Sequence, residues 1–256
     1  MWLTINVEDA VQNGATPLAT INSGAAQQLS FDEACTAHAS TLAQQHNKIF
    51  CALSGGLDSE YVLRKLVQVG ANVTPIIVLD LFPFNEAQYA FHACRQLGLT
   101  PKVIPATGVM ALQPGYTVDW KIHWGSVVAQ KIAIQVAEMN GATYVSGEGD
   151  LVPHGRGATL IQPLGNDFSC VLYGESFAGR LFGSVSHPDP FFLGTPEIAK
   201  SYLLEIDHSL PVQEAKSKLY NLPFRAKIRP SAHLTLETAT KAAFTLGKRT
   251  EVIAQL

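Results

Sequence analysis

The sequence predicts an α/β fold, a doubly wound parallel sheet with helices on both faces, followed by a mostly helical C-terminal part. Two observations carry this. Short continuous apolar runs of the kind buried on both faces alternate with segments of helical period along residues 30 to 150. One such run, IFCAL, passes straight into the glycine-rich turn SGGLDS, which opens a helical segment. With 256 residues, 47% of them hydrophobic, the chain has enough apolar material for a substantial core.

Residues 1–29 mix small and polar types without a sustained period and read as an N-terminal arm; the main domain is expected over 30–256. Ser30 stands at an N-cap position, with Asp32 and Glu33 in the first turn. Phe31, Ala34, Cys35, Ala39 and Leu42 form the apolar stripe of the helix that follows. IFCAL is the next strand, and EYVLRKLVQVG places Val62, Leu63, Leu66 and Val67 on one helical face before Gly70 stops it. NVTPIIVLDL reads as the second strand, and NEAQYAFHACRQLG as a helix with Ala87, Ala90, Phe91, Cys94 and Leu97 inward. PKVIPA is a short third strand. DWKIHWGSVVAQKIAIQVAEMNG gives a helix with the stripe Trp124, Val128, Ile132, Val136 and Met139, and ATYVSGEGD a fourth strand ending in a loop.

Residues 158–196, rich in glycine, proline and aromatics, read as an irregular insertion, a lid or partner surface on one reading and packing over the sheet on the other. Residues 197–256 return to helical patterning, broken by LPFRAKIRPSAHL. In such a fold ligands bind outside the carboxyl ends of the strands, so the loops after Leu53 and Val145 are the informative ones.

A glycine-rich turn between strand and helix aims backbone N–H groups and the positive helix end at one point, which suits phosphate oxygens. The lysine of a Walker loop is absent and Asp58 stands in the turn. An acid beside bound phosphate calls for a divalent cation between them, most simply Mg²⁺, and magnesium usually takes one or two protein carboxylates. Glu148 and Asp150 in SGEGD offer the second.

LSGGLDS, Leu53 to Ser59, resembles the signature of the PP-loop ATP pyrophosphatase superfamily, whose members cleave ATP between the α- and β-phosphates. VSGEGD, Val145 to Asp150, resembles the corresponding loop of asparagine synthetase and β-lactam synthetase, and LPFRAKIRP the downstream L-P…R-x-K element of asparagine synthetases. The resemblance implies a synthetase domain with ATP and Mg²⁺ as cofactors. It implies that Leu53, Ser54, Gly55, Gly56, Leu57, Asp58, Ser59, Val78, Gly147 and Lys227 contact the nucleotide, and that Asp58 and Asp150 share the metal. Asp58, Glu148 and Lys227 would be catalytic, Lys227 at the α-phosphate and Glu148 near the reacting carboxylate and amine. The implied activity is adenylation of a small-molecule carboxylate with release of pyrophosphate, then transfer to an amine or ammonia with release of AMP.

The match has departures. Met1 is followed by Trp2, where the glutaminase domain of asparagine synthetases has its catalytic cysteine. The acidic loop is one residue shorter before its aspartate, and Leu151 stands where that family has a second acid. Competing readings are a PP-loop nucleotide- or tRNA-modifying enzyme, NAD synthetase, and a non-catalytic nucleotide-binding subunit of a complex. The first of these often uses paired cysteines or a metal-binding tail, and neither is visible.

A formal charge of -3 without long basic runs gives no reason to expect nucleic acid or an anionic membrane as partner. No apolar run of membrane-spanning length and no secretory pattern is present, which places the chain in the cytoplasm as an expectation. Exposed aromatic loops leave room for a separate protein partner or a homodimer. Cys35, Cys51, Cys94 and Cys170 are widely spaced and read as reduced, packed thiols. No role is assigned to His123, His154, His187 or His233.

Overall fold

The structure is a computed structural model. It describes residues 26–79, 87–105, 133–147, 191–207 and 209–225, together with the strand backbones at 3–6, 18–22, 163–164, 167–171 and 189–190.

Five strands form the central sheet: β3 (Ile49–Ala52), β4 (Val73–Leu79), β5 (Lys102–Pro105), β6 (Thr143–Ser146) and β9 (Asp189–Pro190). All its pairings are parallel, and the order is β5-β4-β3-β6-β9. The chain steps outward from β3 to β4 and β5, then returns to the other side of β3 with β6. The topological switch point therefore lies between β3 and β6, where a doubly wound sheet opens a crevice beyond its strand ends.

Alternation along the strands sends side chains to two cores. On one face Ile49, Cys51, Val73, Ile77 and Val145 pack with helices α1 (Phe31–Gln45), α2 (Leu57–Gln68), α3 (Ala87–Gln96), α5 (Pro196–Glu205) and α6 (Val212–Tyr220). On the other, Phe50, Ile76 and Tyr144 pack against Ala133 and Ala137 of α4, residues 133–139. The expected arrangement of helices on both faces is present.

Local chemistry explains the helix ends. Ser30 caps α1 in a full capping box: its hydroxyl accepts from Glu33 N at 3.3 Å, and the Glu33 carboxylate accepts from Ser30 N at 2.9 Å. Thr195 caps α5, with Pro196 in its first turn. Asn221, at φ 51°, ends α6 in the left-handed conformation that asparagine tolerates.

Two expectations change. The segment 1–29 holds two strands, β1 (Leu3–Asn6) and β2 (Leu18–Asn22), which pair antiparallel; β2 pairs in turn with β8 (Asp167–Val171), itself joined to β7 (Pro163–Leu164). The arm and the 158–196 segment are thus partners in a second sheet of order β1-β2-β8-β7. Strands of four or five residues are too short for a period to register, and β2 finds β8 about 150 residues away, beyond any hairpin signal. Met139, expected inward, is 86% exposed, and Ala133 and Ala137 are the buried pair of α4. Trp124, Val128 and Ile132 lie outside the described residues, as does the helical pattern after residue 225. Among the described residues no helix is long and apolar enough to cross a membrane.

Candidate functional site

At the carboxyl end of β3 the buried Leu53 still donates its N–H to the Ile76 carbonyl at 2.8 Å, so sheet bonding runs one residue past the strand. The chain then turns out through Ser54, Gly55 and Gly56. Gly55 sits at φ +92°, a region that side chains with a Cβ rarely adopt, and Gly56 is the N-cap of α2. Two serines lock the turn. Ser59 Oγ accepts from Ser54 N and donates to the Gly56 carbonyl, both at 3.2 Å, and the two hydroxyls lie 3.2 Å apart. Gly56 N donates to Ser54 Oγ at 3.3 Å. The α2 N-terminus carries no side-chain cap bond at Gly56, which leaves its positive end facing the turn.

The second loop comes to the same place. Gly147, one residue past β6, lies so close to α2 that a Cβ there would stand 2.6 Å from Ser59 N, 2.7 Å from Ser59 Cα and 2.8 Å from the Asp58 carbonyl carbon. Backbone meets backbone, so only glycine fits. The two motifs separated by about ninety residues in sequence are in contact at the switch point.

Side chains from the C-terminal part close over the turn. Asp58 Oδ2 accepts from Lys216 Nζ at 2.9 Å and Oδ1 from Tyr220 OH at 2.7 Å. Lys216 is buried and Asp58 half-buried. Arg225 Nη1 donates to the Gly55 carbonyl at 3.1 Å, and its Nη2 pairs with Glu60, which is 1% exposed. Glu60 also accepts from Arg64 Nε at 2.8 Å. Buried ion pairs of this kind gain little net stability, since desolvation opposes attraction; breaking one is costly. Their effect is to set geometry at one end of α2.

Ser54, Gly55, Gly56, Asp58, Ser59 and Gly147 are therefore brought together. Leu53 and Leu57 are buried, so their side chains belong to the core and only their backbones reach the turn. Val78 is half-buried on the neighbouring strand, two residues beyond Ile76, the partner of Ala52. Glu148, Asp150 and Lys227 lie outside the described residues. Lys216, Tyr220 and Glu60 were not singled out in sequence. The spacing of Lys216 and Tyr220, four apart and on one face of α6 just before Leu-Pro, is the signal that could have found them.

Asp58 is a hard oxygen donor of the type magnesium takes. Its charge is already countered by the Lys216 ammonium, and each of its oxygens holds a protein donor. Among the described residues no group of three or more potential ligands gathers. Asp150, the second carboxylate expected to hold a magnesium ion together with Asp58, lies outside the described residues.

Cys35, Cys51 and Cys94 are buried free thiols. Burial pushes them up from 9.0 to about 12, 12 and 11 respectively. None lies among the turn residues just described.

No family model matches the chain, and no curated protein matches it. Among solved structures it is similar to the NH3-dependent NAD synthetase from Campylobacter jejuni in complex with the nitrate ion, at 15% identity and a TM-score of 0.39. That match covers 47% of this chain and 56% of the synthetase, little more than half its length. It is also similar to NMN synthetase from Francisella tularensis, at 13% identity and a TM-score of 0.40, over 84% of this chain and 92% of the other. At TM-scores below 0.5 these likenesses carry no inference about what the chain does.

Proposed function

We propose that the chain is an ATP-dependent, AMP- and pyrophosphate-forming ligase that adenylates a carboxylate and passes the acyl group to an amine or ammonia. The observation that carries this is the contact of Gly147 with Asp58 and Ser59, which puts the SGGLDS turn and the start of the SGEGD loop at one spot beyond the central strands. On this reading a strand-turn-helix phosphate cradle and the loop that Gly147 opens serve one nucleotide.

In this proposal the turn and the α2 N-terminus hold the β- and γ-phosphates, and the backbones of Leu53, Val78 and Gly147 frame the adenine. The substrate carboxylate attacks the α-phosphorus, and the bond to the bridging oxygen breaks to release pyrophosphate. The amine then attacks the acyl carbon and expels AMP. Lys227 offsets charge on the transferring and leaving groups, where a magnesium ion held by Asp58 and Asp150 would supply further positive charge, and Glu148 lies by the reacting carboxylate and amine. Cys35, Cys51 and Cys94 are buried with their thiols pushed up in pKa, so none of these three offers the thiolate that a cysteine-based sulfur transfer needs.

The test is pyrophosphate release from ATP across a panel of carboxylates and amines. A productive pair should give release that falls about 10²–10³-fold in Lys227→Ala, the range for loss of one fixed charge at a transition state, with thermal unfolding unchanged. ATP binding without release for any pair would replace this reading with a non-catalytic nucleotide-binding subunit.

A further inference from the structure

We infer that Arg225 is a positioning residue that fixes the orientation of the Gly55–Gly56 peptide, and so the direction in which the phosphate cradle donates; the inference rests on the ligase reading for what the cradle holds. A peptide unit is planar and trans, so its C=O and N–H point opposite ways. Between two glycines that unit can turn over at little steric cost, because neither carries a Cβ to forbid one of the two orientations. The sequence SGG thus leaves the direction of the Gly56 N–H open, and within the turn the Ser54 hydroxyl holds it by one long bond.

Arg225 is placed to choose. Its Nη1 donates to the Gly55 carbonyl at 3.1 Å. The Gly56 N–H on the far side of the same peptide is held toward the exposed Ser54 hydroxyl, at 3.3 Å. That bond is long, so a phosphate oxygen arriving at the turn can take the donor over. A flipped peptide would present the Gly55 carbonyl instead and repel the anion.

The guanidinium is itself held on three sides. Nη2 pairs with buried Glu60, its Cζ lies over the Tyr89 ring at 4.7 Å from the ring centre, and Glu60 is kept in place by Arg64, whose Nη2 reaches Gln96 Oε1. A relay of fixed groups runs from α3 through α2 to the Gly55 carbonyl. Lysine could not reproduce it: a single ammonium lacks the planar fork that serves a carbonyl and a carboxylate at once while stacking on a ring.

Full-length wild type, Arg225→Ala and Arg225→Lys are compared for binding of inorganic pyrophosphate by calorimetry, and for the Gly56 amide resonance by NMR without any ligand. Expected is a roughly 10- to 100-fold loss of pyrophosphate affinity in both variants, the range for one charge-assisted hydrogen bond. The Gly56 amide signal should shift or broaden in both, and millimolar guanidinium should restore affinity in Arg225→Ala but not in Arg225→Lys. If Arg225→Ala does not fold, Arg225→Lys carries both readouts. Pyrophosphate affinity within twofold of wild type, or an unmoved Gly56 amide, overturns the inference. Wild type that binds neither pyrophosphate nor ATP overturns the ligase reading instead, and the amide shift still decides whether Arg225 sets the peptide.

Discussion

Gly147 touches the backbone of Ser59 at a distance that leaves no space for a methyl group, and the atoms it would strike are main-chain atoms that cannot rotate away. Gly147→Ala should therefore push the β6 loop off the start of α2, at a cost of about 1–3 kcal/mol, and weaken ATP binding more than it lowers the unfolding midpoint in urea. Asp58 makes a second residue-scale test. Replacing it by Asn leaves the Lys216 ammonium buried without its carboxylate, which should cost about 2–3 kcal/mol, below the range for a fully buried pair because a quarter of the Asp58 side chain meets solvent. Asp58→Asn combined with Lys216→Met should recover part of that loss in a double-mutant cycle; strict additivity would show that the pair is not coupled. The turn that carries Asp58 was legible because it is local in sequence. Its partners were not, since Lys216 and Tyr220 reach it across 158 and 162 residues and no local pattern encodes such a contact.

Helix α6 reaches the site through Tyr220, whose ring stacks on Tyr61 at 4.6 Å and on Phe192 at 5.8 Å while its hydroxyl bonds Asp58. The ring and the hydroxyl have separable jobs. Tyr220→Phe keeps the stack and should cost about 1 kcal/mol, one hydrogen bond. Tyr220→Ala empties the stack and should cost about 3–5 kcal/mol, with α6 released from α2. Hydrogen exchange of α6 amides would register the second and not the first. The helices themselves were largely readable: Ser30 with Glu33, Gly70 and the stripe of α2 all mark ends and faces by local chemistry. Where the period ran weak the reading slipped, as in α4, where two alanines and not the larger Met139 face the sheet. Small side chains let that helix lie close to Phe50 and Tyr144, a preference that hydrophobicity alone does not reveal.

The whole molecule is organised by one parallel sheet whose first strand is central, and this was legible because each strand-helix cycle announces itself within about thirty residues. The second sheet was not, because its short strands are joined by the pairing of β2 with β8 about 150 residues further along the chain. The main core joins α1, β3 and α3 through Cys35, Cys51 and Cys94, which makes its three thiols reporters of global unfolding. Each is held protonated by burial, at about 12, 12 and 11 against an ordinary 9.0. Between pH 9 and those values the folded chain keeps protons that the unfolded chain gives up, so stability should fall as pH rises through that window and be unaffected by these groups below it. In a Cys170→Ser background the three thiols should resist a thiol reagent at pH 8 and react together when urea opens the core. If the sheet and its helices unfold as one unit, their labelling free energies coincide. Cys94 reacting at a markedly lower free energy than Cys35 and Cys51 would show that α3 opens alone, taking Gln96 and the outer end of the Arg64 relay with it.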